Sequence, residues 1–435
     1  MRAALVFLTL LGGSAQASPL ELYGVGLRGP ARGVANIAGA RDLFATFYNP
    51  AGLMDIPRIE FAVTHQINAP DVDVALDRPG APLAPALPET FQNTTAGFAV
   101  PLSGRLAGRA SLGALLEVPN GLLVRARSLD TRRPHWYMYD SYPDIFIAQM
   151  ALAVRFFDGF DLALGVHNNS GFQGAITAQI DLTTNTWSER EIDFRFIGQY
   201  GPMVGLKLAH EQLHFGLVYR SPLVMRFATP AGLTTAELDA GMHLDLSGST
   251  HVLPTVVGAG LEWRSSRWSV ELAAQWKQWS VVEDPSVDLA IDIRGEDAES
   301  LGLGNALDVP DPDAQPRQSP GFRDTLSVGL GGSAWLSPAW EASAGYSFVP
   351  SPIPDQVHHT NLIDHDRHVF GLSVVTRRLE PFGVFTQPLT VGPSIQWSHL
   401  ASRRAEKAAG LSDPVGSWTA TGHVISVTLG VQGAL

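Results

Sequence analysis

Residues 325–336 read TLSVGLGGSAWL, and their side chains alternate between apolar residues and small or polar ones. The apolar series is Leu326, Val328, Leu330, Gly332, Ala334 and Leu336. Because successive side chains of a β-strand point to opposite faces, this period of two predicts a strand with one apolar face. The same alternation recurs in WSVELAAQWK at 268–277 and in ISVTLGVQGAL at 425–435.

Alternating runs of this kind occur fourteen times along the chain. The predicted strands are 58–69, 92–102, 108–127, 145–157, 160–180, 190–209, 212–228, 243–265, 267–287, 322–337, 340–350, 366–378, 382–398 and 416–435. Most contain ten or more residues, which is the length that a tilted strand needs to cross a bilayer.

The connections between these strands differ in length according to parity. The links after the even-numbered strands are tight, whereas those after the odd-numbered strands are mostly long. The long connections are 70–91, 128–144, 229–242, 288–321, 351–365 and 399–415. Short turns at one rim and long loops at the other are typical of outer-membrane barrels. The sequence therefore predicts an all-β fold, a 14-stranded antiparallel transmembrane β-barrel over residues 58–435.

Aromatic side chains fall near the predicted strand ends, where the interfacial girdles of a barrel lie. They are Trp136, Tyr137, Tyr139, Tyr142, Trp263, Trp268, Trp276, Trp279, Trp335, Trp340, Trp397 and Trp418. We expect them to mark the two membrane interfaces.

Two segments before the barrel do not alternate. Residues 1–17 combine Arg2, a short apolar run and the small-x-small sequence Ala-Gln-Ala, which predicts a signal peptide. Residues 18–57 are rich in glycine and small residues but also carry apolar side chains such as Phe44 and Leu53. A fourteen-stranded lumen leaks unless something fills it, so we predict that residues 18–57 form an N-terminal hatch that plugs the lumen.

Several short motifs, in order along the chain, resemble the outer-membrane long-chain fatty-acid transporter (FadL/TodX-like) family. They are the glycine-rich run 24–33, Arg41-Asp42, Asn49-Pro50-Ala51, Leu253-Pro254, Gln278-Trp279-Ser280, GFRD at 321–324, GYSF at 345–348 and SPIP at 351–354. The resemblance implies an outer-membrane channel of a Gram-negative bacterium that takes up hydrophobic compounds passively, with long-chain fatty acids as the expected ligand. It also implies contact with lipopolysaccharide, outer-membrane lipids and the barrel-assembly machinery.

In that family the Asn-Pro-Ala triplet of the hatch contacts a kinked third strand, and the kink opens a lateral passage to the bilayer. The corresponding hatch motif here is Asn49, Pro50 and Ala51. The predicted third strand contains Pro119, Asn120 and Gly121. Proline removes a ladder donor and glycine permits a bulge, so this is where we expect the opening.

A fatty-acid carboxylate needs a basic anchor, and we expect it at Arg317 and Arg323, at the outer start of a strand that matches the family's basic segment. An aromatic hydrocarbon channel, the first alternative, needs no such anchor. A hydrophilic porin would instead have a wide water-filled lumen, and a surface adhesin would use the long outer loops. The family's first-contact groove cannot be carried over, because the third outer connection, 181–189, is short.

Composition and motifs exclude several other classes. The net charge of −12 and the absence of a basic stripe argue against nucleic-acid binding, and there is no cysteine for a disulfide. No nucleophile elbow, P-loop or zinc-protease motif occurs, so neither an enzyme nor a cofactor is predicted. The His- and Asp-rich segment 358–368 lacks the spacing of a metal site, and we expect a solvated loop. The acidic loop 296–313 lacks the pattern of a calcium loop.

Overall fold

The computed structural model describes residues 19–78, 80–81, 83–120, 131–140, 146–181, 183–184, 186–235, 240–282, 287–300, 319–379 and 387–435. The predicted signal peptide 1–17 lies outside these residues, as do Gly121, Tyr142 and Arg317. No helix in the described part of the chain is long and apolar enough to cross a membrane.

Nineteen strands are present in the described residues. They are β1 (Glu60–Leu76), β2 (Phe91–Pro101), β3 (Ala110–Pro119), β4 (His135–Trp136), β5 (Ile147–Phe157), β6 (Phe160–Asp181), β7 (Thr186–His210), β8 (Leu213–Arg220), β9 (Leu223–Thr235), β10 (Gly241–Leu253), β11 (Thr255–Arg264), β12 (Trp268–Gln278), β13 (Val287–Arg294), β14 (Thr325–Ser337), β15 (Trp340–Val349), β16 (Leu362–Ile363), β17 (Arg367–Leu379), β18 (Leu389–Ala405) and β19 (Trp418–Ala434). The helices are α1 (Pro19–Tyr23), α2 (Gly29–Arg32), α3 (Ala45–Tyr48), α4 (Tyr137–Asp140) and α5 (Glu296–Ser300), with 3₁₀ turns at Pro50–Asp55, Gly104–Leu106 and Trp279–Val281.

Fourteen of these strands form a closed antiparallel ring. Its order is β1, β2, β3, β5, β6, β7, β8, β11, β12, β14, β15, β17, β18 and β19. The ring closes because β1 pairs with β19 over its whole length, from Glu60 opposite Ala434 to Leu76 opposite Trp418. The predicted 14-stranded antiparallel barrel is therefore confirmed.

The alternation along β14 sorts its side chains between the outside and the inside of the ring. Leu326, Val328 and Leu330 are exposed on the outer surface, whereas Thr325 and Ser327 are buried on the lumen side. An apolar outer face is stable only against lipid, so the pattern that predicts the strand also fixes which face the membrane covers.

The third outer connection is short, as expected, because β6 ends at Asp181 and β7 begins at Thr186. The prediction of a long loop at 229–242 is wrong, since β9 and β10 form a hairpin there. β9 also pairs in parallel with β6, and β10 pairs with β13, a strand inside the predicted loop 288–321. These three strands extend the sheet beyond the ring at the rim that carries the long loops.

Proline explains why two predicted strands are each divided in two. The predicted strand 212–228 breaks before Pro222 into β8 and β9, and the predicted strand 243–265 breaks at Pro254 into β10 and β11. Because proline has no N–H to donate, neither ladder continues through it, and the outer halves change their pairing partners.

The described aromatic residues divide into two groups, apart from Trp335, whose ring lies 4.9 Å from the guanidinium of the hatch residue Arg41 and is therefore not part of an outer girdle. Trp263, Trp268, Trp276, Trp340 and Trp397 are exposed on the outer surface, which fits the expected girdles. The expectation is wrong for Trp136, Tyr137, Tyr139, Trp279 and Trp418, which are buried in one apolar cluster on the lumen side. We call this group the cap cluster; Leu22, Tyr23, Phe322, Ile353, Leu362 and Ile363 also belong to it.

The segment 358–368 is not a solvated loop throughout, and that expectation is corrected. Asn361, Asp364 and His365 are buried, and β16 pairs in parallel with β4. Asn361 Oδ1 accepts a hydrogen bond of 2.9 Å from Trp418 Nε1, which ties this segment to the cap cluster. Polar groups can be buried when they are hydrogen-bonded. Hydrogen bonding therefore allows this polar segment to pack into the cover over the outer end of the barrel.

Residues 19–57 lie inside the ring. Their side chains contact strands on opposite sides of it: Leu53 reaches Gly113 on β3, Asn49 reaches β7, and Ala31 reaches Gly371 on β17. Leu27, Leu43 and most other apolar side chains of the segment are fully buried. The N-terminal segment therefore fills the lumen, as the predicted hatch requires.

Candidate functional site: the hatch, the lumen and the third strand

Charged groups fasten the hatch to the barrel wall. Glu271 on β12 accepts hydrogen bonds from the backbone N–H groups of Ile37, Ala38 and Gly39 at 2.6, 2.9 and 2.8 Å. Its Oε2 also lies 3.1 Å from the guanidinium of Arg32, which is itself buried. Three N–H groups and a guanidinium on one carboxylate make this the most heavily bonded contact between hatch and wall in the described residues.

A second set of contacts lies nearer the rim with the short turns. Arg28 donates to Glu341 on β15 at 2.9 Å and to Asp42 within the hatch at 3.3 Å. Asp55, at the end of the hatch, is paired with Lys207 on β7. The hatch is thus anchored on several strands around the ring, which opposes its displacement as a unit.

The hatch triplet packs against β7 and β8. Asn49 Nδ2 donates to the carbonyl oxygens of Ile37 and Leu206, both at 3.0 Å, and its Oδ1 accepts from the N–H of Ala51 at 3.2 Å. A Cβ added to Gly205 would lie 2.4 Å from Asn49 Oδ1 and 2.8 Å from Pro50 Cδ, so only glycine fits there. The triplet's hydrogen bonds to the wall go to β7, not to the third strand as the resemblance implies.

Other hatch residues face the third strand. A Cβ added to Gly113 of β3 would lie 2.3 Å from Thr46 Oγ1 and 2.8 Å from Leu53 Cδ2. The contact between hatch and third strand is therefore close, but Thr46 and Leu53 make it.

The wall changes at the predicted lateral opening. β3 pairs with β5 only as far as Glu117 opposite Ile147, whereas it pairs with β2 as far as Pro119 opposite Asn93. Asn120 continues along β2, where its N–H donates to the carbonyl of Gln92 at 2.9 Å. Among the described residues, the end of β3 therefore pairs with β2 for two residues beyond its last pair with β5.

A basic site lies between the hatch and the cap cluster. Glu21 of α1 is 2.7 Å from Arg220 on β8 and 2.7 Å from Lys277 on β12, and all three are buried or nearly so. Burial opposes ionisation of Glu21, but the two cations outweigh it and lower the pKa of this carboxyl to about 2. Arg367 of β17 lines the same cavity, which has a volume of only about 50 Å³.

This basic site is not among the predicted anchors. Arg323 has an exposed side chain, and Arg317 lies outside the described residues. Arg220 and Lys277 sit in strands far apart in sequence, and only the closed ring brings them together. In the sequence, each is recognisable only as a basic residue at a position of an alternating strand that faces the lumen.

Residues 200–375 match the family model described as Outer membrane protein transport protein (OMPP1/FadL/TodX). The resemblance to the FadL/TodX family is confirmed. No curated protein sequence matches this chain.

Solved structures share its fold. A FadL homologue of Pseudomonas aeruginosa is 15% identical with a TM-score of 0.58, covering 94% of this chain and 100% of its own. The toluene transporter TodX of P. putida is 12% identical with a TM-score of 0.57, covering 95% and 99%. The toluene transporter TbuX of Ralstonia pickettii is 12% identical with a TM-score of 0.54, again covering 95% and 99%. Residues 200–375 therefore resemble this transport-protein family in sequence, and the barrel as a whole has the same fold as these solved structures.

Proposed function

We propose that the protein takes up long-chain fatty acids passively, holding them in the lumen and releasing them sideways where β3 separates from β5. The observation that carries the choice of ligand is the basic site, where Arg220 and Lys277 hold the carboxylate of Glu21. Two cations that bind one buried carboxylate can bind another of the same geometry.

The cap cluster supplies the complementary apolar surface. Its aromatic and aliphatic side chains lie next to α1, so a ligand with its carboxylate at Lys277 can extend its chain among them. Each buried methylene stabilises the bound state by about 0.8 kcal/mol. Since the cavity beside Glu21 is small, a ligand has to take the place of α1, and its carboxylate then replaces that of Glu21.

Opposite charge changes at the basic site test this assignment. In a titration of the detergent-solubilised protein with oleate, Lys277→Gln is expected to weaken binding about ten- to a hundredfold, the range for loss of one charged hydrogen bond. Glu21→Gln removes the competing carboxylate and is expected to tighten binding. Arg323→Ala, the matched control at the exposed anchor position predicted from sequence, should change affinity little. Unchanged oleate affinity in both lumen variants would refute the proposal.

The same variants address the second candidate, an aromatic hydrocarbon. The ring-rich cap cluster favours it, because flat apolar ligands pack well against aromatic side chains. Toluene has no carboxylate, so its binding should not respond to Lys277→Gln. Binding of toluene but not oleate by the unaltered protein would favour this candidate. A large single-channel conductance would instead indicate a hydrophilic porin.

A further inference from the structure

Three polar side chains form a closed ring of contacts, two of them hydrogen bonds, at the end of the third strand. His65 Nδ1 lies 3.2 Å from Thr94 Oγ1 and 3.3 Å from Asn120 Nδ2, and Thr94 Oγ1 donates to Asn120 Oδ1 at 3.0 Å. The three residues come from β1, from β2 and from the position directly after β3. We call them the polar ring.

The polar ring lies on the outside of the barrel. Along β1, Thr64 and Gln66 are buried in the lumen, whereas Val63 and Ile67 are 53% and 37% exposed, and His65 shares their face. Across the ladder to β19, His65 stands opposite Leu429, which is 53% exposed. On β1 and β19, His65 is thus flanked by side chains of the apolar band that faces lipid, whereas on β2 the exposed Gln92 lies opposite Ile67.

Polar groups in such a band are costly and are usually retained for a function. This ring stands at the end of β3, where the described pairing with β5 stops at Glu117 and that with β2 continues to Pro119, so it borders the proposed lateral exit on one side. Most outward positions around it on β1 and β3, such as Ile67, Leu116 and Val118, are apolar. The ring therefore places hydrogen-bonding groups at the one point of this face where a ligand would emerge.

The contacts within the polar ring determine which nitrogen of His65 can donate a hydrogen bond to a ligand. The amide nitrogen of Asn120 only donates, so His65 Nδ1 accepts and the N–H of the imidazole is on Nε2. The Thr94 hydroxyl proton goes to Asn120 Oδ1, so the 3.2 Å approach of His65 Nδ1 to Thr94 Oγ1 is a contact without a proton of its own. Among the described residues, no hydrogen bond is made by Nε2 of His65. The ring thus holds the imidazole in one orientation with an N–H donor available to an acceptor oxygen.

We propose that the polar ring is an exit site for the polar head of an amphipathic ligand, with His65 Nε2–H donating to a carboxyl oxygen as the apolar chain passes into the bilayer. This inference rests on the proposed function, since it needs a ligand that leaves at the third strand. It adds a specificity determinant: a ligand with an acceptor head gains a hydrogen bond at the exit, and a pure hydrocarbon gains none.

The test compares two ligands of equal chain length, oleate and 1-octadecene, in vesicles that contain the full-length protein. Release of each ligand from the protein into the bilayer is followed by stopped flow, and oleate affinity is measured in detergent. His65→Leu is expected to slow oleate release about tenfold, the effect of one hydrogen bond, while octadecene release and oleate affinity stay unchanged. Thr94→Val, which disrupts the ring with little change of volume, should act in the same direction.

A relocated imidazole provides the matched control. The double variant Val63→His/His65→Leu keeps one imidazole on the same outward face but two residues away from the ring, and it should release oleate as slowly as His65→Leu. Rescue by this variant would mean that general polarity suffices, and it would overturn the assignment. Equal slowing of both ligands would show that the ring only braces the end of β3. If the unaltered protein releases octadecene but binds no oleate, the proposed function fails and this inference with it, whereas normal oleate release in His65→Leu refutes this inference alone.

Discussion

Replacing Glu271 by glutamine tests the contact that makes the most hydrogen bonds between the hatch and the barrel wall. Oε1 accepts from Ile37 and Ala38, so an amide oxygen placed there keeps both bonds. The amide nitrogen then occupies the Oε2 position and faces two donors, the N–H of Gly39 and the guanidinium of Arg32. Arg32 keeps a second partner, since its guanidinium also lies 3.4 Å from Glu262, so the cost lies at the lower end of the about 3–5 kcal/mol for removing one partner of a buried ion pair. At 1.4 kcal/mol per factor of ten, the detached hatch becomes more populated by about a hundredfold.

The assay is single-channel conductance in planar bilayers. The unaltered protein should show rare, brief openings, and the Glu271→Gln protein should show frequent ones, while the barrel still resists unfolding in detergent at room temperature. Glu406→Gln is the control, because Glu406 forms an exposed pair with Arg404 and should leave conductance unchanged. Conductance of the Glu271→Gln protein at the unaltered level, with the hatch still protected from protease, would refute the account of how the hatch is held.

Three further outcomes follow from the described contacts. Gly205→Ala places a Cβ 2.4 Å from Asn49 Oδ1 and should also raise conductance, whereas Gly232→Ala, with no neighbour within 3.6 Å of the added atom, should not. Burial raises the pKa of Asp364 to about 6, so the folded protein retains a proton that the unfolded chain loses, and this group's contribution to the free energy of unfolding falls by about 3 kcal/mol between pH 4 and 6. Burial lowers the pKa of His365 to about 4, so its contribution rises by a similar amount between pH 4 and 6.5 and opposes the first. In denaturant titrations between pH 4 and 6, Asp364→Asn should therefore make the pH slope of the free energy of unfolding more positive than in the unaltered protein, and His365→Gln should make it more negative; a change of the same sign in both variants would contradict these assignments.

The barrel was predictable because membrane strands show their environment directly in the sequence. Leu326, Val328 and Leu330 are apolar because they face lipid, and Thr325 is polar because it faces the lumen. The two-residue period and the length of each run therefore suffice to count the strands of the ring. The pattern cannot show where a ladder changes partner. Pro222 and Pro254 interrupt two runs that otherwise alternate without a break.

The candidate site was predictable only where it depends on local chain properties. Pro119 predicts a disturbed ladder because it lacks an N–H donor, and in the described residues the pairing of β3 with β5 ends two residues before it, at Glu117. The basic site was missed because Glu21, Arg220 and Lys277 are separated by long stretches of chain and meet only after the ring has closed. Likewise, nothing local in the glycine-rich segment indicates that Arg32 is a buried anchor.

The pairing of β1 with β19 constrains how this molecule is built. The hatch precedes β1, yet its partners Glu271 and Glu341 belong to strands synthesised much later. If the ring closed first, the folded and charged hatch would have to enter through an open end of the barrel. The diameter of that opening is fixed by the hydrogen bonds between the strands. We therefore expect the N-terminal residues to lie between the walls before Glu60 pairs with Ala434, so that the sheet closes around its contents and the first and last strands join last.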